Sequence, residues 1–257
     1  MAWTSLPHYC EKAVDGYLTI VRLWRMISKL SHLWRRWRYQ QNVTQLQARR
    51  GGSGAMGQDV FVLELLGGMR AGCFVDIGAS DGVSISNTFH LEREHGWRGL
   101  AVEPIPSIFE KLKAARGCQT LNACISDRSG TARFTEVVDG THMYSGLSEK
   151  MDERHVRRIR RAIERRGQGR TREIQVRCVT WAEALETAGI AKVDFLSLDT
   201  EGGELDILRN INFSATPVRV ISVENNYFTH DYARLLEPQG FKRVGAFKVD
   251  EFYLYQG

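Results

Sequence analysis

Short apolar runs that stop at an acidic residue are the feature that most constrains this chain. Residues 73–77 hold Asp76 and lead into Gly78, 99–102 run into Glu103, 193–198 into Asp199, and 218–223 into Glu224. Runs this short and this continuously apolar suit strands covered on both faces. Helical patterns separate them, over 58–66, 84–95, 107–116, 181–188, 204–209 and 231–236. Further strands are expected over 120–125, 131–137 and 174–179, with 241–245 and 252–255 as a terminal hairpin. Alternation of this kind predicts an α/β fold: a mostly parallel seven-stranded sheet, helices on both faces and a C-terminal antiparallel hairpin. Ligands of such sheets bind beyond the carboxyl ends of the strands. The four carboxylates stand there.

The first of these ends reads Asp76-Ile-Gly-Ala-Ser-Asp-Gly82. Gly78 and Gly82 permit a tight turn and a close backbone approach to a ligand. Asp76 and Asp81 make the loop acidic, and it carries no basic residue, so a phosphate is disfavoured there. A ligand with a positive centre is favoured, and S-adenosylmethionine has two, a sulfonium and an ammonium. Glu103 follows Asp76 by 27 residues. A strand-end acid at about that distance can hold both hydroxyls of a ribose. Ser126 and Asp127 end the next expected strand, where an adenine ring would be read.

These residues resemble the FkbM family of methyltransferases. The matching elements are Gly57-Gln-Asp59, residues 74–82, Ser86-Asn-Thr88, residues 96–99, Val102-Glu-Pro104, Asp194 through Glu204, and Val223-Glu-Asn225. They span about residues 56–257 in the expected order. Thr200 departs from the small apolar residue expected at its position. The resemblance implies a Rossmann-like class I methyltransferase with S-adenosylmethionine as donor. It often accompanies O-methylation of sugars or small natural products. With it, the expected donor-binding set is Asp76, Gly78, Ser80, Asp81, Gly82, Asn87, Glu103, Pro104, Ser126 and Asp127.

Asp199-Thr-Glu-Gly-Gly-Glu204 places three carboxylates within six positions at a strand end, and Glu224-Asn225 ends the neighbouring strand. Asp199, Glu201 and Glu224 are the candidates for taking a proton from an acceptor hydroxyl. Asp199, Glu224 and Asn225 are alternatively oxygen ligands for an ion such as Mg²⁺. Glu204 suits either catalysis or the first turn of a helix, where an acid favours the dipole. Residues 142–146 are expected to line an acceptor pocket or to be an ordinary polar loop.

Charge is uneven. Residues 1–50 carry nine basic and two acidic residues, and 149–177 carry eleven and five, within a chain of formal net charge +5. Leu23, Ile27, Leu30, Trp34 and Trp37 fall on one helical stripe between basic residues. The segment 17–47 is therefore a helix that docks on the body, or on a second copy in a homodimer, or lies on an anionic membrane surface. Four glycines within 51–57 mark a junction. The expected domains are thus 1–50, 51–57 and 58–257. The five cysteines are odd in number and form no CxxC, and no signal peptide or transmembrane helix is visible, so a reducing, cytoplasmic setting is expected. Residues 149–166 include seven arginines, either a solvated helix face or a surface for an anionic acceptor. Nucleic acid is the runner-up substrate. The Asn-Pro-Pro-Tyr type of loop used on base amines is absent, and Asn225-Asn226-Tyr227-Phe228 is the nearest match. A third reading is a non-catalytic protein that keeps the cofactor fold and works through its basic helices.

Overall fold

The computed structural model describes residues 57–139 and 142–257. The expected extension 1–50, its segment 17–47 and most of the glycine junction lie outside the described residues. The chain starts with α1 (Gln58–Leu65), then β1 (Cys73–Ile77), α2 (Phe89–His95), β2 (Arg98–Val102), α3 (Pro106–Ala115) and β3 (Gln119–Leu121). The short β4 (Cys124–Ile125), long β5 (Gly130–Val138) and short β6 (Gly146–Leu147) follow, with a 3-10 turn at His142–Tyr144. Next come α4 (Glu153–Arg166), β7 (Arg170–Val179), α5 (Trp181–Ala188), β8 (Val193–Leu198), α6 (Glu204–Asn210), β9 (Val218–Glu224) and α7 (Asp231–Leu236). The hairpin β10 (Phe241–Phe247) and β11 (Asp250–Tyr255) ends the sequence of elements.

Seven strands form the main sheet in the order β3-β2-β1-β8-β9-β11-β10. β1, β2, β3, β8 and β9 are mutually parallel, and β11 is antiparallel to both β9 and β10. The expected architecture is present. Its two faces are sorted by strand periodicity. Val75, Leu196 and Ile221 point toward α5, α6 and α7, joining Trp181, Leu208 and Leu236. Phe74, Phe195, Val220 and Phe252 point the other way, onto Val62 of α1 and onto Leu91 and Trp97. Burying a side chain of this size contributes roughly 2–3 kcal/mol, so these two layers fix the sheet before any loop contact is counted.

Three expectations are corrected. Residues 120–125 are not one strand: β3 pairs with β2, and β4 pairs with β7 in a second sheet of order β4-β7-β5-β6. The strands expected at 131–137 and 174–179 belong to that second sheet, as an antiparallel pair. The helix expected from residue 84 begins at Phe89. Ile85 has φ +53, outside the right-handed helical region, so the chain loops until Thr88. Among the described residues no helix is long and apolar enough to cross a membrane.

Candidate functional site

The strand order reverses between β1 and β8, and a cleft opens beyond their carboxyl ends, where such a sheet leaves room for a ligand. Its open space, mouth included, is about 980 Å³. One wall is the loop after β1, another the turn after β2, and a third the segment from His142 to Leu147. Asp199, Thr200, Glu201 and Gly203 close the far end.

The loop after β1 owes its shape to contacts between chain segments. Gly78 has φ +86, and a Cβ there would sit 1.7 Å from the Asp199 carbonyl oxygen. Gly82 has φ +77, and its Cβ would meet the side chains of Leu112 and Arg116. Both glycines serve chain packing, and only Gly78 also lines the cleft. Asp81 does not line it: its Oδ1 accepts the N–H groups of Val83 and Ser84, at 3.0 and 2.7 Å. Behind the loop lies Arg116, its side chain fully buried. It donates to Glu92, to the Gly82 carbonyl and to Thr88 Oγ1, while Thr88 donates to Asp76 Oδ2 at 2.6 Å. Burial raises the Asp76 pKa, and Thr88 and Arg116 oppose the rise. The loop itself lacks basic residues, but a buried cation supports it from behind.

Glu103 is held with its carboxylate at the cleft. Oε1 accepts from the Ile105 N–H at 2.8 Å and Oε2 from the Ser80 N–H at 3.1 Å. Burial pushes its pKa up to about 7 despite those two bonds. Asn87 donates to Ser197 Oγ at 3.1 Å, and its Oδ1 is buried without a partner. Pro104 and Ser80 line the cleft, and Ser80 Oγ lies 3.1 Å from His142 Nε2. Ile105, Ala123, Ile125, Phe134 and Leu147 give the cleft an apolar slot. Ser126 and Asp127 stand outside the lining; the Ser126 hydroxyl donates to its neighbour Asp127 instead.

At the far end Asp199, Glu201 and Glu224 bring carboxylate oxygens within 4.8 Å of one another. Asp199 is open to the cleft, yet surrounding protein crowds its carboxylate. Desolvation, then the charges of Glu201, Asp250 and Glu204, raise its pKa well above the usual range. The neighbouring Glu224 side chain opposes that rise through hydrogen bonding. Glu201 adopts φ +57 and is fixed through Oε2, which accepts from Arg158 at 2.9 Å and from the Asn226 amide at 3.0 Å. Burial pushes the Glu201 pKa up to about 7, and Arg158 opposes that rise. Asn226 also donates to Glu224. Asn225 is not directed at this group: its amide bonds the backbone of Thr229 on both sides. Glu204 accepts from the Thr200 and Gly202 backbone, so it ties the loop that carries Glu201.

The sequence reading missed Arg116, Asn226 and the particular role of Arg158. Each acts through a partner more than 20 positions away, or through a side chain whose direction only the loop decides. For Asn226, the adjacent Asn225 was a weak pointer. His142, Met143 and Ser145 do line the cleft, as expected of residues 142–146.

The set Asp199, Glu224 and Asn225 does not fit a magnesium ion, because the Asn225 amide is turned to the Thr229 backbone, away from the two carboxylates. In the trio with Glu201, the cationic partner is already Arg158. Mg²⁺ also needs near-octahedral oxygen ligands at about 2.0–2.1 Å, and Asn226 occupies the space between Glu201 and Glu224 as a donor.

No curated protein matches the sequence. Among solved structures, a methyltransferase FkbM from Methylobacillus flagellatus KT is similar at 14% identity and a TM-score of 0.41, covering 72% of this chain and 44% of that one. The N-terminal domain of human METTL16, solved with S-adenosylhomocysteine, has 14% identity and a TM-score of 0.41, over 84% of this chain and 79% of its own. An RNA methyltransferase from Salinibacter ruber, in complex with the same molecule, has 14% identity and a TM-score of 0.35, over 77% and 88%. This chain thus spans less than half the length of the Methylobacillus protein. The methyltransferase FkbM domain model matches residues 76–243, from the strand-end Asp76 into β10, and on that match the chain belongs to the FkbM methyltransferase family.

Proposed function

We propose that the protein is an S-adenosylmethionine-dependent O-methyltransferase acting on a hydroxyl of a sugar, a glycan or a small natural product. The observation that carries this reading is Glu103, a buried carboxylate pinned by two backbone N–H groups at the wall of an acidic cleft. A carboxylate so held can accept both hydroxyls of a ribose. The unpartnered Asn87 Oδ1 would accept a hydrogen bond from the donor's ammonium, and the apolar slot would take its flat ring. S-Adenosylmethionine supplies an electrophilic methyl group on a sulfonium centre.

The work left to the chain is to orient the acceptor and remove its proton. Asp199 and Glu201 face the cleft, with Glu224 behind them. A base is most effective with a pKa near the working pH, which fits Glu201. Arg158 and Asn226 hold it in place, as positioning residues. His142 and Met143 form the opposite lip, where the acceptor must enter.

Calorimetric titration with S-adenosylmethionine and S-adenosylhomocysteine, with and without Mg²⁺, tests the reading. Both should bind, and Glu103→Ala should weaken them about tenfold to a hundredfold, since hydrogen bonds to a charged group contribute roughly 1.5–3 kcal/mol each. Mg²⁺ should change neither value. Failure of the folded protein to bind either compound would overturn the proposal.

A further inference from the structure

We infer that the acceptor is an extended acidic glycan and that one face of α4 conducts its charges to the cleft. The inference rests on the hydroxyl-methylating reading above. Arg154, Arg158, Arg161 and Arg165 follow one another at helical spacings of four, three and four, with Arg157 beside them, so they form a single stripe. Over the eleven residues from Arg154 to Arg165 a helix rises about 16 Å. The stripe meets the site at Arg158, near its middle, which bonds Glu201. From there it runs outward. Arg154 and Arg157 are partly neutralised by Asp152 and Glu153. Arg161 and Arg165 are exposed and make no ion pair among the described residues. The buried face of α4, with His155, Ile159 and Ala162, lies beside it.

Length and texture identify the partner. A single phosphate or carboxylate engages one or two guanidinium groups, so a small charged acceptor leaves most of the stripe unused. A repeating anion uses all of it. A nucleic-acid strand also needs open aromatic faces on which bases stack. Here Tyr227 is covered by the Arg154 guanidinium at 4.1 Å and Tyr144 by that of Arg158 at 4.4 Å. Among the described residues the one exposed large aromatic is Tyr255, in β11. A chain of acidic sugars needs charge at regular intervals and no stacking platform. It also presents the hydroxyls that a carboxylate base serves.

Fluorescence anisotropy with labelled oligogalacturonate, a neutral dextrin and an oligothymidylate of equal length tests this. The full chain should bind the oligogalacturonate best. Arg161→Glu should weaken that binding about tenfold, as expected for reversing a charge-assisted contact. Arg160→Glu makes the same charge change one residue away, off the stripe, and should cost no more than about twofold. Both variants should keep wild-type affinity for S-adenosylmethionine, measured in parallel, which separates this inference from the donor reading. Equal losses in the two variants would reduce the effect to net charge and overturn it. So would oligothymidylate or dextrin binding as tight as oligogalacturonate, or no glycan binding by a protein that still takes the donor.

Discussion

Glu201 shows how one side chain is tuned by opposing neighbours. Burial raises its pKa, and the Arg158 guanidinium at 2.9 Å pulls it back. A base works ionised, so methyl transfer should rise with pH through about 7, the value set by that balance. Arg158→Met removes the opposing cation. The acid limb of the rate profile should then move upward by about one pH unit or more, while S-adenosylmethionine affinity stays unchanged. An unmoved limb would show that another group is the base. This residue was half legible. The spacing of Asp199, Glu201 and Glu224 singled out the trio, because strand ends are local features. Asn226 and Arg158 were not legible, because their partners arrive from other segments of the chain.

Single elements repeat the lesson. β1, β8 and β9 were readable from their unbroken apolar runs, since a strand covered on both faces needs no partner to reveal itself. The second sheet was not, because β5 and β7 pair residues 32 to 48 positions apart, from Val138 with Arg170 to Gly130 with Cys178, and only pairing tells which sheet a strand joins. The loop between β1 and β2 misled for a different reason. Residues 84–88 are weak helix formers, and Asp81 accepts from the N–H groups of Val83 and Ser84 and turns the chain aside. Gly78 is the strictest position in this element. Gly78→Ala would force a side chain into φ +86 and into the Asp199 carbonyl, so β1 and β8 could not keep their register. Urea denaturation should show a loss above about 3 kcal/mol, among the larger effects of single substitutions. A loss below about 1 kcal/mol would mean that the loop can shift freely.

The molecule as a whole stores unfavourable charge around its cleft. Burial raises the pKa of Asp76, Glu103, Asp199, Glu201, Glu224 and Asp250, to about 7 for Glu103 and Glu201 and about 6 for Asp250. In the unfolded chain these groups titrate near 3.8 and 4.5. Between those values and about 7, these six carboxylates hold more protons folded than unfolded, and they outnumber His95, His142 and His155, whose pKa values burial lowers. Stability must therefore fall as pH rises across that interval. Scanning fluorimetry on the ligand-free protein should give a higher Tm near pH 5 than near pH 8. A flat or rising curve would contradict the charge distribution described above.

The placement of β11 bears on how the protein is made. β11 is an interior strand, with β9 on one side and β10 on the other, although it follows both of them in the chain. Until it arrives, β9 presents an open edge of unpaired backbone groups, and β10 has nothing to join. The nascent chain must hold that edge clear of other chains throughout synthesis of the hairpin. Its competence to fold therefore depends on the arrival of β11 more than on the length already made.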